Sequence, residues 1–492
     1  MELDRRHFLK YAGATAGVVG ATAVGLDYLL SLRSQSTSKL TISVTTSGLL
    51  PPTIGNFSWQ PTRIVNDKVY DATAAFDVES TTPVTSLNAT LEGYAPTIPP
   101  RAYPPENRVT LQLGPVRQST SVTTYSAKVT DLKGGKHYKL STQAKNSAGT
   151  QTEEFETPYV REFENIAGMD NVLVGASYHP WWENPCRGFC HWGELGADYS
   201  KGTTPLGTPL LGLYNSNDPS VISKHIDWAT GYGIDSFWCS YNGSNVADER
   251  MAPIMANALV KDIKIALLYE TAIALGGPNE DLSHVDLNDA STYSLLEYHF
   301  RSMASRYFSH PSYLKIDGRP VVYIYASSQI GGDISTPIRK LRESVRQIAG
   351  FDMYLIGDEM HLYESPKMNR LKPFDAITSY SHTNSAETRS QREYAVWQNA
   401  ARSADIELIP PVSPGYDDRN LCKLGVRKGC SYAPKSPQGL AARLETALQF
   451  VGRDRMLMIV SWDEWAENSF VEPTVEDGFK YLQTLRNTLA GR

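Results

Sequence analysis

From residue 163 onward, short apolar runs alternate with longer amphipathic stretches, and this rhythm restricts the fold more than any other feature of the chain. Eight runs of four to seven residues have the length and the continuous apolar character of strands buried on both faces. They span 172–178, 234–240, 263–269, 321–325, 353–356, 376–380, 408–412 and 456–460. Strands separated by helical stretches favour a parallel sheet. Eight such units predict an α/β fold, a (β/α)8 TIM barrel over residues 163–492.

The last run leads into a cluster of acidic and aromatic residues. Trp462, Asp463, Glu464, Trp465 and Glu467 follow it within seven positions. On one helical turn, residues three apart lie about 5–6 Å from each other on one side. Retaining glycosidases hold two carboxyl groups about 5–5.5 Å apart. The two glutamates are therefore candidate catalytic groups, and the alternative is a helix N-terminus whose dipole favours acidic side chains.

Polar and aromatic residues also follow most of the other runs. In a (β/α)8 barrel the chemistry lies at the carboxyl ends of the strands, so their shared placement predicts one pocket. As single residues they have ordinary explanations as core aromatics, satisfied polar groups or solvated turns. The candidate substrate-binding residues are Tyr178, Trp181, Trp182, Glu270, Glu359, Tyr380, His382, Tyr416, Asp417, Trp462 and Trp465.

Charge and motifs narrow the ligand. The net charge is −6 and the sequence contains no basic block, which argues against a nucleic-acid partner. An acidic pocket lined by aromatic rings suits a neutral polyhydroxylated ligand better than a phosphate. No Gly-rich phosphate loop and no zinc-type cysteine spacing occurs in the sequence, so neither a cofactor nor a metal is expected.

Residues 40–159 show a different pattern, with short alternating runs separated by Pro, Gly and Asn. This pattern predicts an all-β, immunoglobulin-like sandwich. The spacing of Leu132, Tyr138, Ala144, Asn146 and Gly149 resembles the tyrosine-corner strand and following turn of a fibronectin type III domain. The resemblance implies a structural spacer, with a substrate-docking module as the alternative.

The N-terminal segment 1–33 has the pattern of a targeting signal. Arg5 and Arg6 precede a stretch rich in Ala, Gly and Val, which predicts twin-arginine export. A Ser/Thr-rich linker follows at 34–39. The sequence leaves open whether the signal is cleaved or stays as a membrane anchor interrupted by Asp27. The expected location is extracytoplasmic, either secreted or attached at the outer face of the membrane.

Export permits disulfides, and the chain has five cysteines. Two pairs flank short loops, so the preferred bridges are Cys186 with Cys190 and Cys422 with Cys430. Cys239 lies in an apolar run and stays unpaired in this scheme. Other pairings remain open.

Eight strings in the barrel region carry a resemblance to a known family. They are YHPWW (178–182), LGLYNSNDPSVISKHIDWATGYGIDSFW (211–238), IKIALLYE (263–270), GRPVVYIY (318–325), YLIGDE (354–359), FDAITSY (374–380), VSPGYDDR (412–419) and SWDEWAENSFVEP (461–473). In this order they resemble glycoside hydrolase family 99, the endo-α-mannosidase-like enzymes. That family uses an E-W-x-E pair, which falls here on Glu464 and Glu467.

The chain departs from the usual N-E-W-H-E-G-T string of these hydrolases at Asp463, Ala466, Asn468 and Ser469. The alanine is closer to the W-N-E-W-A-E-G form of WbsX-like glycosyltransferase relatives. Three functions therefore follow as alternatives: an exported glycosidase, a non-catalytic carbohydrate-binding protein of the cell surface, and a WbsX-like glycosyltransferase. Export favours the glycosidase, because nucleotide-sugar donors are intracellular.

The resemblance implies hydrolysis of α-mannoside-type or related glycan linkages with retention. Glu464 is expected to act as a base on the 2-hydroxyl of the substrate, which closes a 1,2-anhydro sugar. Glu467 is expected to protonate the leaving oxygen and then to activate water. Tyr380 and Tyr416 would bind Glu467 or the leaving group. The remaining expected roles are stacking on sugar rings by Trp181, Trp182 and Trp465, and hydroxyl binding by Glu270, Glu359, His382 and Asp417.

Overall fold

The computed structural model describes residues 49–65, 68–94, 106–185, 191–277, 280–360, 366–380 and 387–491. The predicted signal (1–33), the linker (34–39), the Cys186–Cys190 pair and His382 lie outside these ranges.

The first eight strands form two four-stranded antiparallel sheets. Their orders are β1-β2-β6-β5 and β4-β3-β7-β8. Apolar residues of both sheets, such as Phe76 and Leu140, pack into one core. The alternation predicted from sequence is clear in β7, where every second side chain is buried. The strands are β1 Thr53–Val65, β2 Lys68–Glu79, β3 Ser86–Tyr94, β4 Glu106–Thr110, β5 Gly114–Gln118, β6 Val122–Val129, β7 His137–Asn146 and β8 Gly149–Glu156.

Tyr138 in β7 ties this strand to the turn before it. Its hydroxyl accepts a hydrogen bond from the backbone N–H of Lys133 at 2.8 Å and donates one to the carbonyl of Lys133 at 3.0 Å. This is the geometry of a tyrosine corner. Membership of the fibronectin type III family stays a prediction.

A second, parallel sheet follows. Its order is β16-β15-β14-β13-β11-β10-β9-β20-β17, and β12 pairs antiparallel with β13. The strands are β9 Leu173–Tyr178, β10 Ser236–Tyr241, β11 Lys264–Tyr269, β12 Lys315–Ile316, β13 Arg319–Ile324, β14 Tyr354–Asp358, β15 Ala376–Thr378, β16 Glu407–Leu408, β17 Pro411–Val412 and β20 Met456–Ile459. A small antiparallel pair, β18 Tyr416–Asp417 and β19 Tyr432–Ala433, lies between β17 and β20.

The two ends of the parallel sheet, β16 and β17, are parts of one segment, 407–412. β16 pairs with β15 and β17 pairs with β20, so the sheet returns to its starting side and resembles a (β/α)8 barrel. Pro410 and Pro411 have no N–H to donate, which explains the interruption in this seventh position. Each of the eight predicted runs contains strand.

Helices separate the strands. The predicted start of the helix Pro219–Gly231 is observed, since the Asp218 side chain accepts from the N–H of Ser220 at 2.8 Å. No helix within the described ranges is both long and apolar enough to cross a bilayer. The other α-helices are His191–Glu194, Asn245–Ala256, Thr271–Leu275, Ala290–Arg306, Ser335–Ala349, Met368–Leu371, Glu387–Ser403, Arg419–Lys423, Pro437–Ala447 and Lys480–Ala490; the 3-10 turns are Val260–Asp262, Leu282–His284, Ser327–Gln329 and Trp465–Glu467.

Of the predicted disulfides, Cys422–Cys430 is present, with a Cα–Cα distance of 6.2 Å. Cys239 is buried and is a free thiol in the part of the chain that the structure describes.

Replacing Tyr138 by Phe removes the hydroxyl that bonds Lys133. We expect the local free energy of opening in β7 to fall by about 1–2 kcal/mol, because two backbone hydrogen bonds are lost. Native-state hydrogen exchange of the β7 amides measures this change. Tyr125→Phe is the matched control in the same core, where the ring packs against Phe76. Equal loss of protection in both variants would contradict the role given to the Tyr138 hydroxyl.

Candidate active site

The two candidate glutamates leave β20 on one short turn. Glu464 is the N-cap of the 3-10 turn Trp465–Glu467. The sequence predicts an α-helical turn here, and the turn found is tighter. A 3-10 helix has about three residues per turn, so side chains three apart align on the same side. Both carboxylates therefore still face one region at the carboxyl end of the sheet.

Glu464 is buried, with 6% of its surface exposed. Its backbone N–H donates to Ser461 Oγ at 2.7 Å, and its Oε1 accepts from the N–H of Ala466 at 3.0 Å. Burial raises the pKa of Glu464 to about 8, while the nearby His179 opposes this rise and Glu467 adds to it. The group is therefore poised to exchange a proton near neutral pH.

Glu467 is more accessible and is held from one side. Its Oε1 accepts from Arg427 Nη1 at 2.9 Å and lies 3.3 Å from the Tyr416 hydroxyl. Arg427 Nη1 also bonds Asp418 Oδ2 at 2.9 Å. No described residue makes a hydrogen bond to Glu467 Oε2. One oxygen of this carboxylate is thus anchored, and the other is available for a ligand.

Arg427 reaches Glu467 from a loop that is tied at several points. The Cys422–Cys430 bridge closes this loop around Arg427. Asp418 accepts from the N–H of Ser431 at 2.7 Å. The loop therefore presents its guanidinium to the site from a constrained position.

His179 follows β9 and stands between three acidic or phenolic groups. Its Nδ1 lies 3.3 Å from Asp463 Oδ1, and its Nε2 lies 3.1 Å from the Tyr380 hydroxyl and 3.8 Å from Glu464 Oε2. Burial raises the pKa of Tyr380 well above its ordinary value, and both Glu467 and Glu464 add to the rise. Tyr380 therefore stays a neutral hydroxyl that faces both candidate catalytic groups.

Glu270 follows β11 and belongs to the same site. It is buried and accepts from Ser240 Oγ at 2.7 Å. Burial raises the pKa of Glu270 to about 7, with His179 lowering it and Glu467 raising it. These influences place Glu270 within electrostatic reach of both His179 and Glu467.

Four aromatic residues predicted to bind substrate are instead in the core. Tyr178, Trp182, Trp462 and Trp465 are each at most 1% exposed, so none offers a ring face to a sugar. The expectation of stacking by these rings is corrected for that reason. Trp181 is only partly buried, and its ring lies 4.6 Å from that of His179. It is the predicted tryptophan that remains suited to line a pocket.

The buried aromatics hold a carboxylate behind the site. The indole N–H of Trp465 and the hydroxyl of Tyr214 donate to Glu472 Oε2 at 2.9 and 2.7 Å. His225 Nε2 lies 3.2 Å from Glu472 Oε1, and its Nδ1 lies 3.2 Å from the Tyr178 hydroxyl. Trp465 and Tyr178 are thus parts of a polar network inside the protein.

Two predicted hydroxyl binders are paired with arginines. Glu359 is buried and accepts from Ser327 Oγ at 2.8 Å and from Arg370 Nε at 3.2 Å. Asp417 is bonded by both Nε and Nη2 of Arg419, at 2.8 and 2.7 Å. Since the oxygens of both carboxylates already have partners, the structure does not bring these two residues to the pair Glu464 and Glu467. The position of His382 lies outside the described residues.

The sequence assigned no role to several residues that the structure brings together. His179 and Asp463 stand at strand exits within the quoted strings, which is the signal that was open to use. Arg427 lies in a loop remote from both glutamates, and only its place between two cysteines marks it. In the described ranges, no group of three or more His, Cys, Asp or Glu side chains is arranged to hold a metal ion.

Comparisons with known proteins agree with this arrangement. Glycoprotein endo-alpha-1,2-mannosidase of Rattus norvegicus is 22% identical over 342 residues, which is 62% of this chain and 68% of the relative. The WxcX protein of Xanthomonas campestris pv. campestris is 25% identical over 354 residues, covering 63% of this chain and about half (48%) of that protein.

Two solved structures show the same fold. A glycoside hydrolase-like protein has a TM-score of 0.51 at 20% identity, covering 68% of this chain and 97% of that one. The GH99 endo-alpha-mannosidase from Bacteroides thetaiotaomicron has a TM-score of 0.51 at 17% identity, covering 65% and 97%.

The family model described as Glycosyltransferase WbsX matches residues 177–485. This range begins in β9 and ends in the helix Lys480–Ala490, so it takes in the whole parallel sheet and the proposed site. The chain therefore belongs to the Glycosyltransferase WbsX family.

Proposed function

We propose that this protein is a glycoside hydrolase that cleaves α-mannoside-type or related glycan linkages with retention. The observation that carries the proposal is the pair of carboxylates, Glu464 and Glu467, on one turn at the carboxyl end of the sheet. The names of the mannosidase relatives support the same chemistry. A neutral glycan fits a site whose polar groups are carboxylates and tyrosine hydroxyls.

In the proposed reaction Glu464 removes the proton of the substrate 2-hydroxyl. The oxygen so activated attacks C1, the glycosidic bond breaks, and Glu467 protonates the leaving oxygen. Water then attacks C1 of the 1,2-anhydro sugar, gives a proton to Glu467, and the proton on Glu464 returns to O2. Two inversions at C1 give net retention.

The surroundings of each glutamate suit its role. Glu464 is desolvated, so its carboxylate is a stronger base than one in water. Glu467 keeps one oxygen on Arg427 and Tyr416 while the other is available to the leaving group. Tyr380 lies close to both groups as a hydroxyl donor or acceptor.

A second candidate function is glycosyl transfer. The description of the matching family favours it, because it names a glycosyltransferase. Binding of sugar nucleotides, measured by calorimetry, distinguishes the two: a transferase binds them, whereas the proposed hydrolase does not.

We further propose that the protein acts outside the cytoplasm, with segment 1–33 as a twin-arginine signal or anchor and residues 40–159 as a fibronectin type III-like spacer. The motif at Arg5 and Arg6 supports the export, and the tyrosine corner at Tyr138 supports the spacer.

Glu467→Gln is expected to lower kcat/KM by at least about 10²-fold, since general acid–base catalysis contributes on this order. Glycan binding is expected to survive, because the amide keeps the shape of the carboxylate. Released oligosaccharide from a panel of α-mannans and surface glycans, with the anomer read by NMR, measures the effect. Glu343→Gln, in the exposed Glu343–Arg346 pair, is the control. Unchanged turnover in Glu467→Gln rules out the assignment, and binding without cleavage in the unaltered protein favours a non-catalytic role.

The pH dependence tests which glutamate is the base. A base must be ionised, and the pKa of Glu464 is raised to about 8. The value of kcat/KM is therefore expected to rise with pH up to about 8 and to fall about tenfold per pH unit below it. If Glu464 were the acid, activity would instead decline above about pH 8, so the direction of this limb in a pH–rate profile decides the assignment.

Replacing both Arg5 and Arg6 by Lys keeps the charge and removes the twin-arginine pair. The double variant is expected to accumulate inside the cell, as followed by fractionation and immunoblotting. Arg33→Lys, at the end of the same segment, is the control that should still be exported. Normal export of the double variant would exclude this route.

A further inference from the structure

Three buried groups lie in a row behind the proposed base. Asp463 is followed by His179, and His179 is followed by Glu464. His179 Nδ1 lies 3.3 Å from Asp463 Oδ1, and His179 Nε2 lies 3.8 Å from Glu464 Oε2. Asp463 and His179 are at most 1% exposed. Charges in such a place act on each other strongly because water does not screen them.

Asp463 holds His179 by two contacts. Its Oδ1 accepts from the backbone N–H of His179 at 2.7 Å as well as facing Nδ1. Its Oδ2 is buried and has no hydrogen-bond partner among the described residues. A buried carboxylate with one oxygen unpartnered is costly for the fold, so its position calls for a functional explanation.

We propose that Asp463 and His179 are positioning residues that control the protonation of Glu464, with the imidazole oriented by Asp463 and carrying the positive charge that faces Glu464 when Glu464 ionises. This inference rests on the proposed function, in which Glu464 is the base. The residues act through Glu464 and do not themselves touch the substrate.

The proton inventory of the row is balanced. A proton that moves from Asp463 to His179 leaves a carboxylate beside an imidazolium, and a buried ion pair is less costly than either charge alone. The imidazolium then offsets part of the desolvation of Glu464. Nδ1–H donates to Asp463, which leaves Nε2 directed at Glu464 and at the Tyr380 hydroxyl, 3.1 Å away.

Other charged groups bear on the row from neighbouring elements. Glu467 faces Glu464 and disfavours its ionised form. Glu270 attracts positive charge on His179, since His179 lowers the pKa of Glu270.

Behind Asp463, two groups act in opposite directions on its charge. Burial and then Glu472 raise the pKa of Asp463 well above its ordinary value, while His225 lowers it. His179 is thus the cation next to Glu464 in the described part of the site, and its removal leaves Glu464 facing acidic groups.

Two variants test the proposal through pH. In His179→Gln and Asp463→Asn the ascending limb of kcat/KM is expected to move to higher pH by about one unit. This corresponds to about tenfold lower kcat/KM below the limb and to activity within about twofold of the unaltered protein above it. Asp463→Asn keeps the acceptor for the His179 N–H, so it reports on charge even if His179→Gln folds poorly.

His299→Gln is the matched control. His299 is also buried and also bonds a tyrosine hydroxyl, that of Tyr269 at 2.8 Å. Burial lowers the pKa of His299 to about 4, so it carries no charge over the range tested. Its profile should not move. An equal loss of kcat/KM at every pH in His179→Gln and Asp463→Asn would show a merely structural role and overturn the proposal.

A readout without substrate separates this inference from the proposed function. The pKa of Glu464 is raised in the folded protein, so its favourable contribution to stability is complete below pH about 4.5 and is lost as pH rises to about 8. The difference in unfolding free energy between Glu464→Gln and the unaltered protein should therefore grow over this interval and then level off.

In the His179→Gln background the levelling is expected at higher pH by about one unit. If it moves there while no glycan is cleaved by the unaltered protein, the proposed function fails and the control of Glu464 stands. If the levelling stays at the same pH, the proposal is overturned whatever the activity shows.

Discussion

The pairing of β20 with β9 is the interaction on which the site depends. It joins the last strand of the parallel sheet to the first, with Met458 opposite Gly175. A Cβ at Gly175 would come within 2.4 Å of the Trp238 indole, so this position requires glycine for the barrel interior to pack. Beyond the paired strands, His179 and Asp463 meet although 284 positions separate them in the chain. Without this closure, the groups around Glu464 would belong to unrelated parts of the protein.

The second determinant is the removal of water from Glu464. The buried rings of Trp462 and Trp465 lie on either side of Glu464 in the chain, and Glu472 behind them is satisfied by hydrogen bonds. This wall raises the pKa of the carboxylate and makes it responsive to the charge of His179. Residues that look like sugar platforms in the sequence thus support the base through burial.

The strands and the glutamate pair were open to prediction because their signals are local. A continuous apolar run such as 456–460 indicates a buried strand by itself, and an E-W-x-E string places two carboxylates on one turn. The roles of Trp182 and Trp465 were predicted wrongly, since the direction in which a ring points depends on packing by distant elements. Arg427 was not predicted as a contact of Glu467, because its loop has no periodic pattern and reaches the site only through the folded chain.

Sequence alone therefore determined the order of the elements, the Cys422–Cys430 bridge and the location of the acidic pair, all of which rest on contacts between residues close in the chain. Only the tertiary structure decided which side chains surround that pair and which are sealed in the core. The reason is physical: burial and charge depend on every group within a few ångströms, and those groups come from strands that meet only when the sheet closes.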